Sequence, residues 1–182
     1  MNIAEIITSD CANGTGTRLS VFVSGCTIKC KGCFNKCAQD FNYGRPYNEE
    51  MKNLIINELK KVQYHGITIL GGEPFERPNQ EGIADLLKAI KTDFLNGGPH
   101  RDVWIYTGYL YEDLIRGGKR HFGKLTDSIL DNTDVLVDGP FMEDKKDISL
   151  KFRGSSNQRI IDVYLTKAFW HIDESVKIKN LD

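Results

Sequence analysis

Four of the five cysteines of the chain crowd into one short stretch, spaced Cys26-x3-Cys30-x2-Cys33-x3-Cys37. Thiolates this close, in a loop with Gly25 before it and Gly32 inside it, can wrap one compact inorganic object. Exposed backbone N–H groups of such a loop can also bond the sulfides of a cluster and tune its potential. Three chemistries compete. A structural zinc site pairs two knuckles across a long stretch; here no second pair exists and the four histidines, at 65, 100, 121 and 171, are remote in sequence. A four-cysteine electron-transfer cluster is the second, although the first gap is three rather than two and no proline follows Cys37. The third is a set of three ligands, Cys26, Cys30 and Cys33, that leaves one iron open, as a catalytic metal centre requires. A second reactive segment is Gly71-Gly72-Glu73-Pro74. Its glycines allow close backbone approach, its proline fixes the turn, and a carboxylate partly out of water pairs well with an ammonium. No histidine or carboxylate dyad for acid–base work is evident.

Strands and helices must place these segments. Leu19–Val23, Gly66–Leu70, Val103–Thr107, Val135–Val137 and Ile160–Leu165 are short apolar runs that predict strands. Asn48 caps a predicted helix carrying Met51, Leu54, Ile55, Leu59 and Val62, and a second carries Ile83 to Phe94. Residues 109–132 have a helical pattern broken by Gly117-Gly118 and Gly123, and the stretch from Thr166 has none. Alternation of this kind predicts an α/β fold with a mainly parallel, open sheet of about five or six strands. In such sheets ligands bind beyond the carboxyl ends of the strands. The cysteine loop follows the first core strand, Gly71–Pro74 the second, Thr107-Gly108-Tyr109 the third and Asp138-Gly139-Pro140 the fourth. All the chemically suggestive loops are therefore expected on one rim.

Length and composition bound the rest. A chain of 182 residues is one domain by default, large enough for a core without disulfide staples. Residues 1–165 are read as that domain and 166–182 as an unassigned C-terminal tail. The net charge of −1 argues against a broad nucleic-acid footprint. Neither a secretory leader nor an apolar run of membrane-spanning length is evident, so a cytoplasmic protein with no membrane partner is expected. The cytosol keeps cysteines reduced, which favours metal chemistry over a disulfide scaffold.

Cys26-x3-Cys30-x2-Cys33 resembles the signature of the radical S-adenosylmethionine enzymes. The resemblance implies three thiolates on a 4Fe–4S cluster, with the amino and carboxylate groups of S-adenosylmethionine on the fourth iron. Gly71-Gly72-Glu73-Pro74, which begins 38 residues after Cys33, resembles the second motif of that family, which contacts the methionyl amino group. Asn13–Arg18 and Phe22–Cys26 resemble the entry segment of glycyl-radical-enzyme activases. Arg153–Gln158, Trp104–Tyr109 and Asp134–Gly139 resemble the branch that activates anaerobic ribonucleoside-triphosphate reductases. The resemblance covers roughly residues 10–159; Gly97–Arg101, Arg116–Lys124 and the tail lie outside it.

What it implies is a small partial (β/α) barrel with the cluster loop after the first core strand. One electron from the reduced cluster would cleave S-adenosylmethionine to methionine and a 5′-deoxyadenosyl radical. That radical would take a hydrogen atom from a glycine of the reductase, with a one-electron donor such as flavodoxin as a second partner. Gly71, Gly72, Glu73, Pro74, Thr107 and Asp138 are the expected cofactor contacts, and Cys26, Cys30 and Cys33 the metal ligands. Cys37 and Cys11 are read as structural. Asn13, Arg18 and Tyr109 are weaker candidates, and Arg153–Asn157 is either a hydrogen-bonded turn or part of the cofactor and partner surface. The alternatives are a radical enzyme on a small molecule, such as a deazaguanine-type synthase, and a non-catalytic iron–sulfur carrier.

Overall fold

The computed structural model of the chain describes residues 1–170. Strands β1 (Asn2–Asp10), β2 (Arg18–Val23), β3 (Arg45–Pro46), β4 (Gly66–Gly71), β5 (Asp102–Tyr106), β6 (Val135–Asp138) and β7 (Arg159–Asp162) form one sheet in the order β3-β1-β2-β4-β5-β6-β7. The central strands β2, β4, β5 and β6 run parallel, as the alternation predicts. The edges correct that expectation: β1, β3 and β7 are antiparallel to their neighbours, so the seven-stranded sheet is mixed. Connection length explains it. Residues 11–17 join β1 to β2, too few for a parallel crossover. The chain between Asp138 and Arg159 carries only a single 3-10 turn and stays on the rim, so β7 starts beside the end of β6 and runs back.

Among the described residues five α-helices accompany the strands: α1 (Glu49–Leu59), α2 (Arg77–Leu95), α3 (Tyr111–Leu114), α4 (Lys124–Asp131) and α5 (Val163–Trp170). The Asn48 side chain accepts from the Met51 N–H, and Glu49 and Glu50 sit in the first turn of α1, where they complement its dipole. The helical pattern over 109–132 resolves into α3 and α4, separated where Gly117 and Gly123 take φ of 92° and 70°. The strand expected over Ile160–Leu165 ends at Asp162, whose carboxylate accepts from the Leu165 N–H at 2.8 Å and starts α5. The unpatterned stretch from Thr166 thus begins inside α5; 171–182 lie outside the described residues.

Strand alternation sorts side chains onto two faces. Val21, Ile69, Ile105, Leu136 and Ile161 pack with Ile55, Ile83, Leu87, Leu114 and Ile129 in the main core beneath the helices. Ser20, Thr68, Trp104 and Val137 face the other way. There the segment 10–17 and the loop 139–158 cover the sheet: Thr68 Oγ1 donates to the Asn13 carbonyl at 2.7 Å, and Phe152 meets Trp104 edge-on at 5.5 Å. Arg18 is fully buried on this face. Its guanidinium donates to Thr68, Asp102 and the carbonyls of Thr15, Ile67 and Asp102, so it fixes the far end of the sheet from the rim. Among the described residues no helix is long and apolar enough to cross a membrane.

Candidate metal centre

The loop after β2 is closed at its base by backbone bonds. Gly25 N–H donates to the Ala38 carbonyl at 2.8 Å and Cys26 N–H to the Gln39 carbonyl at 3.2 Å. Inside this closure Cys26, Cys30 and Cys33 line one cavity of about 560 Å³, at the carboxyl ends of the parallel strands. Cys37, which opens a 3-10 turn, and Cys11 are exposed and lie outside the cavity lining. Burial pushes the thiols of Cys26 and Cys30 above the usual cysteine range, so binding iron must displace protons there.

Gly71, Gly72 and Glu73 form the adjoining wall, and Thr107 and Gly108 the next. Both glycines are dictated by close backbone approach. A Cβ on Gly71 would stand 2.8 Å from the Val23 nitrogen and oxygen, and one on Gly72 2.5 Å from the Gly25 carbonyl. Glu73 is 1% exposed. Its carboxylate accepts from the Phe75 N–H at 2.9 Å, the Thr107 hydroxyl at 2.7 Å and the Gly108 N–H at 2.7 Å, so it ties the end of β4 to the end of β5. Burial raises its carboxyl to about 7 against those three donors. Pro74 is buried behind this wall and does not line the cavity.

Asp138 is placed elsewhere. Two residues beyond Leu136, it points to the helix side of the sheet. There it accepts from the Tyr111 N–H at 2.7 Å and pairs with Arg159, which also grips Glu112 on α3. It is fully buried and absent from the cavity lining. Asn13 does reach the cavity; Tyr109 sits just behind it, and Arg18 lies deep under the sheet. The Arg153–Asn157 turn folds onto the rim, with Asn157 donating to the Pro140 carbonyl and Ser155 Oγ accepting from the Met142 N–H, while Arg153 and Gly154 line the cavity.

Two features escaped the sequence. One is the wall built by Phe141, Ile148, Leu150 and Phe152 of the 139–158 loop, whose apolar spacing has no period. The other is Glu76. Its Oε1 accepts from the Thr27 N–H at 2.8 Å, from the Thr27 hydroxyl, and from the Tyr109 hydroxyl at 3.0 Å. An acid placed just ahead of Arg77-Pro78, at the start of α2, was the available signal.

The donor set fits an iron–sulfur cluster. Three thiols share the cavity and no fourth cysteine does. Three thiols on one cavity fit a polynuclear cluster, which takes each on a separate iron.

Residues 12–161 match the family model described as a 4Fe-4S single cluster domain. The chain is 38% identical over 162 residues to an anaerobic ribonucleoside-triphosphate reductase-activating protein of Pasteurella multocida, covering 88% of this chain and 96% of the relative. It is 38% identical to the protein of that name from Escherichia coli K12, over 87% of this chain and 96% of the relative. The counterpart of Enterobacteria phage T4 is 32% identical, over 88% and 93%. With three cysteines on one cavity at the strand ends and this similarity along nearly the whole relative, the chain belongs to the 4Fe–4S family of anaerobic ribonucleoside-triphosphate reductase-activating proteins.

Proposed function

We propose that the chain activates an anaerobic ribonucleoside-triphosphate reductase by generating a glycyl radical on it. The observation that carries this reading is the convergence of Cys26, Cys30 and Cys33 with Gly71–Glu73 and Thr107 on one cavity. In this reading Cys26, Cys30 and Cys33 hold the 4Fe–4S cluster. Together the cluster and S-adenosylmethionine supply reductive cleavage to methionine and a 5′-deoxyadenosyl radical that takes hydrogen from the partner's glycine.

The chain's own residues bind, orient and exclude. Gly71 and Gly72 bring bare backbone to the cavity, where the methionyl end of S-adenosylmethionine can approach closely. Glu73 places a carboxylate behind them for the ammonium, while Thr107 and Gly108 hold that carboxylate in one orientation. Pro74 acts from behind, by fixing the turn. Asp138 contributes indirectly, by securing the N–H of Tyr111 after the Thr107–Tyr109 loop. Phe141, Leu150 and Phe152 keep water from the opposite wall. A small partial (β/α) barrel, built on the parallel central strands β2, β4, β5 and β6, belongs to this reading.

Cavity size favours a protein substrate. A volume of about 560 Å³ lies in the range of a single bound small molecule, roughly 300–1,000 Å³. Occupied by S-adenosylmethionine, it leaves little room for a second one. A glycine on a flexible backbone segment can enter from the mouth, with no side chain to obstruct the approach. A one-electron donor such as flavodoxin completes the set of partners, and the site lies in a cytoplasmic protein without nucleic-acid or membrane partners.

The test is product analysis of the reconstituted protein under strict anaerobiosis with S-adenosylmethionine and reductant. Release of methionine and 5′-deoxyadenosine is slow alone and accelerates on adding the reductase, with one 5′-deoxyadenosine per radical formed. Turnover of a small metabolite with no dependence on the reductase would replace this reading by the small-molecule one.

A further inference from the structure

Basic residues gather in the cysteine loop and in a second segment behind it. The loop itself carries Lys29, Lys31 and Lys36, all exposed, and no acid between Cys26 and Cys37. The connection between α3 and α4 carries Arg116, Lys119 and Arg120, and Lys124 opens α4, again with no acid between positions 115 and 124. Arg116, Lys119 and Lys124 are exposed, and none of these four cations forms an ion pair among the described residues. The neighbouring acids Glu112 and Asp127 are already engaged, by Arg159 and His121. Since the whole chain has a net charge of −1, this concentration of cations is local rather than general.

Its position is informative. The Arg120 guanidinium lies 4.5 Å above the Tyr109 ring, the Tyr109 hydroxyl donates to Glu76 at 3.0 Å, and Glu76 accepts from the Thr27 N–H next to Cys26. The basic connection is therefore two side chains removed from the cluster loop. It lies behind the Tyr109–Glu76 layer, and none of its residues lines the cavity.

The geometry points to a docking surface for an acidic one-electron carrier protein on the α3–α4 connection, behind the Tyr109–Glu76 layer. The inference rests on the function proposed above, which consumes one electron from outside for each S-adenosylmethionine cleaved. The carrier gives up one electron, the cluster gains it, and no proton or atom is transferred. Clustered positive charge steers an acidic protein, raising association rates by roughly tenfold to a thousandfold at low ionic strength. Because the patch is off the cavity lining, a carrier seated there leaves the mouth open to the glycine-bearing partner.

The test uses oxidised and reduced flavodoxin, an acidic flavoprotein, as the probe, and photoreduced deazaflavin as a small reductant that needs no docking surface. Charge reversal of three exposed cations (Arg116→Glu, Lys119→Glu and Lys124→Glu together) spares Arg120, which packs on Tyr109. Far-UV circular dichroism checks that the variant folds. Calorimetric affinity for oxidised flavodoxin falls at least tenfold at low salt, its salt dependence flattens, and stopped-flow reduction of the cluster by reduced flavodoxin slows in parallel. Reduction by deazaflavin, and the radical yield on the reductase that it drives, stay at wild-type level. Unchanged flavodoxin affinity and reduction rate would overturn the proposal. So would a lost deazaflavin-driven radical yield with flavodoxin binding intact, which would assign the surface to the reductase. If the wild-type protein gives no radical with deazaflavin, the fault lies with the proposed function and not with the docking surface.

Discussion

Glu76 accepts a hydrogen bond from the backbone N–H of Thr27 at 2.8 Å, so the start of α2 holds the cysteine loop at the residue after Cys26. The same oxygen, Oε1, serves the hydroxyls of Thr27 and Tyr109. Burial, with the carboxylates of Glu76 and Glu73 nearby, raises the Tyr109 hydroxyl to about 12, so it remains a donor at every working pH. Glu76→Ala leaves these donors unpaired. It lowers stability by about 1–3 kcal/mol and speeds loss of iron on desalting. Glu76→Gln keeps a single carbonyl oxygen for all three donors and restores most of both. Urea unfolding of the iron-free chain and iron retention of the reconstituted one are the measurements.

The cysteine assignment has a direct count. Anaerobic reconstitution gives about four irons and four sulfides per chain. Cys26→Ala, Cys30→Ala and Cys33→Ala each lose the cluster, while Cys11→Ala and Cys37→Ala keep it. Iron content settles the matter, and loss in Cys37→Ala with retention in Cys26→Ala would break the assignment.

Glu73 makes a prediction with a sign. Its carboxyl is ordinarily near 4.5 and is raised by burial to about 7 in the folded chain. Between these values the unfolded chain releases the proton first. Stability of the iron-free protein therefore falls as pH rises from about 4.5 to about 7, by roughly 2–3 kcal/mol from this group. Glu73→Gln cannot ionise and loses that slope, which urea titrations at pH 5 and 7.5 will show. In the reconstituted protein the same substitution weakens S-adenosylmethionine binding about tenfold to a hundredfold without changing iron content.

Asp138 and Arg159 form a pair with unequal burial, the carboxylate enclosed and the guanidinium partly exposed. Arg159→Ala strands the carboxylate and costs about 2–4 kcal/mol, a buried-pair figure discounted for solvent on the arginine side. Affinity for S-adenosylmethionine in the folded fraction stays within about threefold, since neither side chain lines the cavity. A large affinity loss with stability intact would return Asp138 to direct cofactor contact.

The parallel run of the central strands, the helix start at Asn48 and the gathering of loops on one rim were all legible, because each follows from hydrophobic period and turn chemistry. The antiparallel edges were not: whether a strand runs forward or back depends on what its connection packs against, and the 139–158 loop has no pattern that says so. Asp138 shows the same limit at one residue. Position at a strand end marks the rim, but parity with Leu136 decides the face, and that parity turns Asp138 toward Tyr111 and Arg159. Glu76 lacked a motif altogether, since its partners Thr27 and Tyr109 are distant in sequence. The cysteine cluster stood out by its spacing, which left three metal chemistries open; the triad and the role of Gly71–Glu73 came from the family resemblance.

The most direct measurement is an electron paramagnetic resonance spectrum of the anaerobic reductase after incubation with the reconstituted protein, reductant and S-adenosylmethionine. The account predicts a doublet radical signal on the reductase, absent when its target glycine is replaced by alanine and absent with the Cys30→Ala protein. A reconstituted protein that cleaves S-adenosylmethionine yet leaves the reductase without a radical would contradict it.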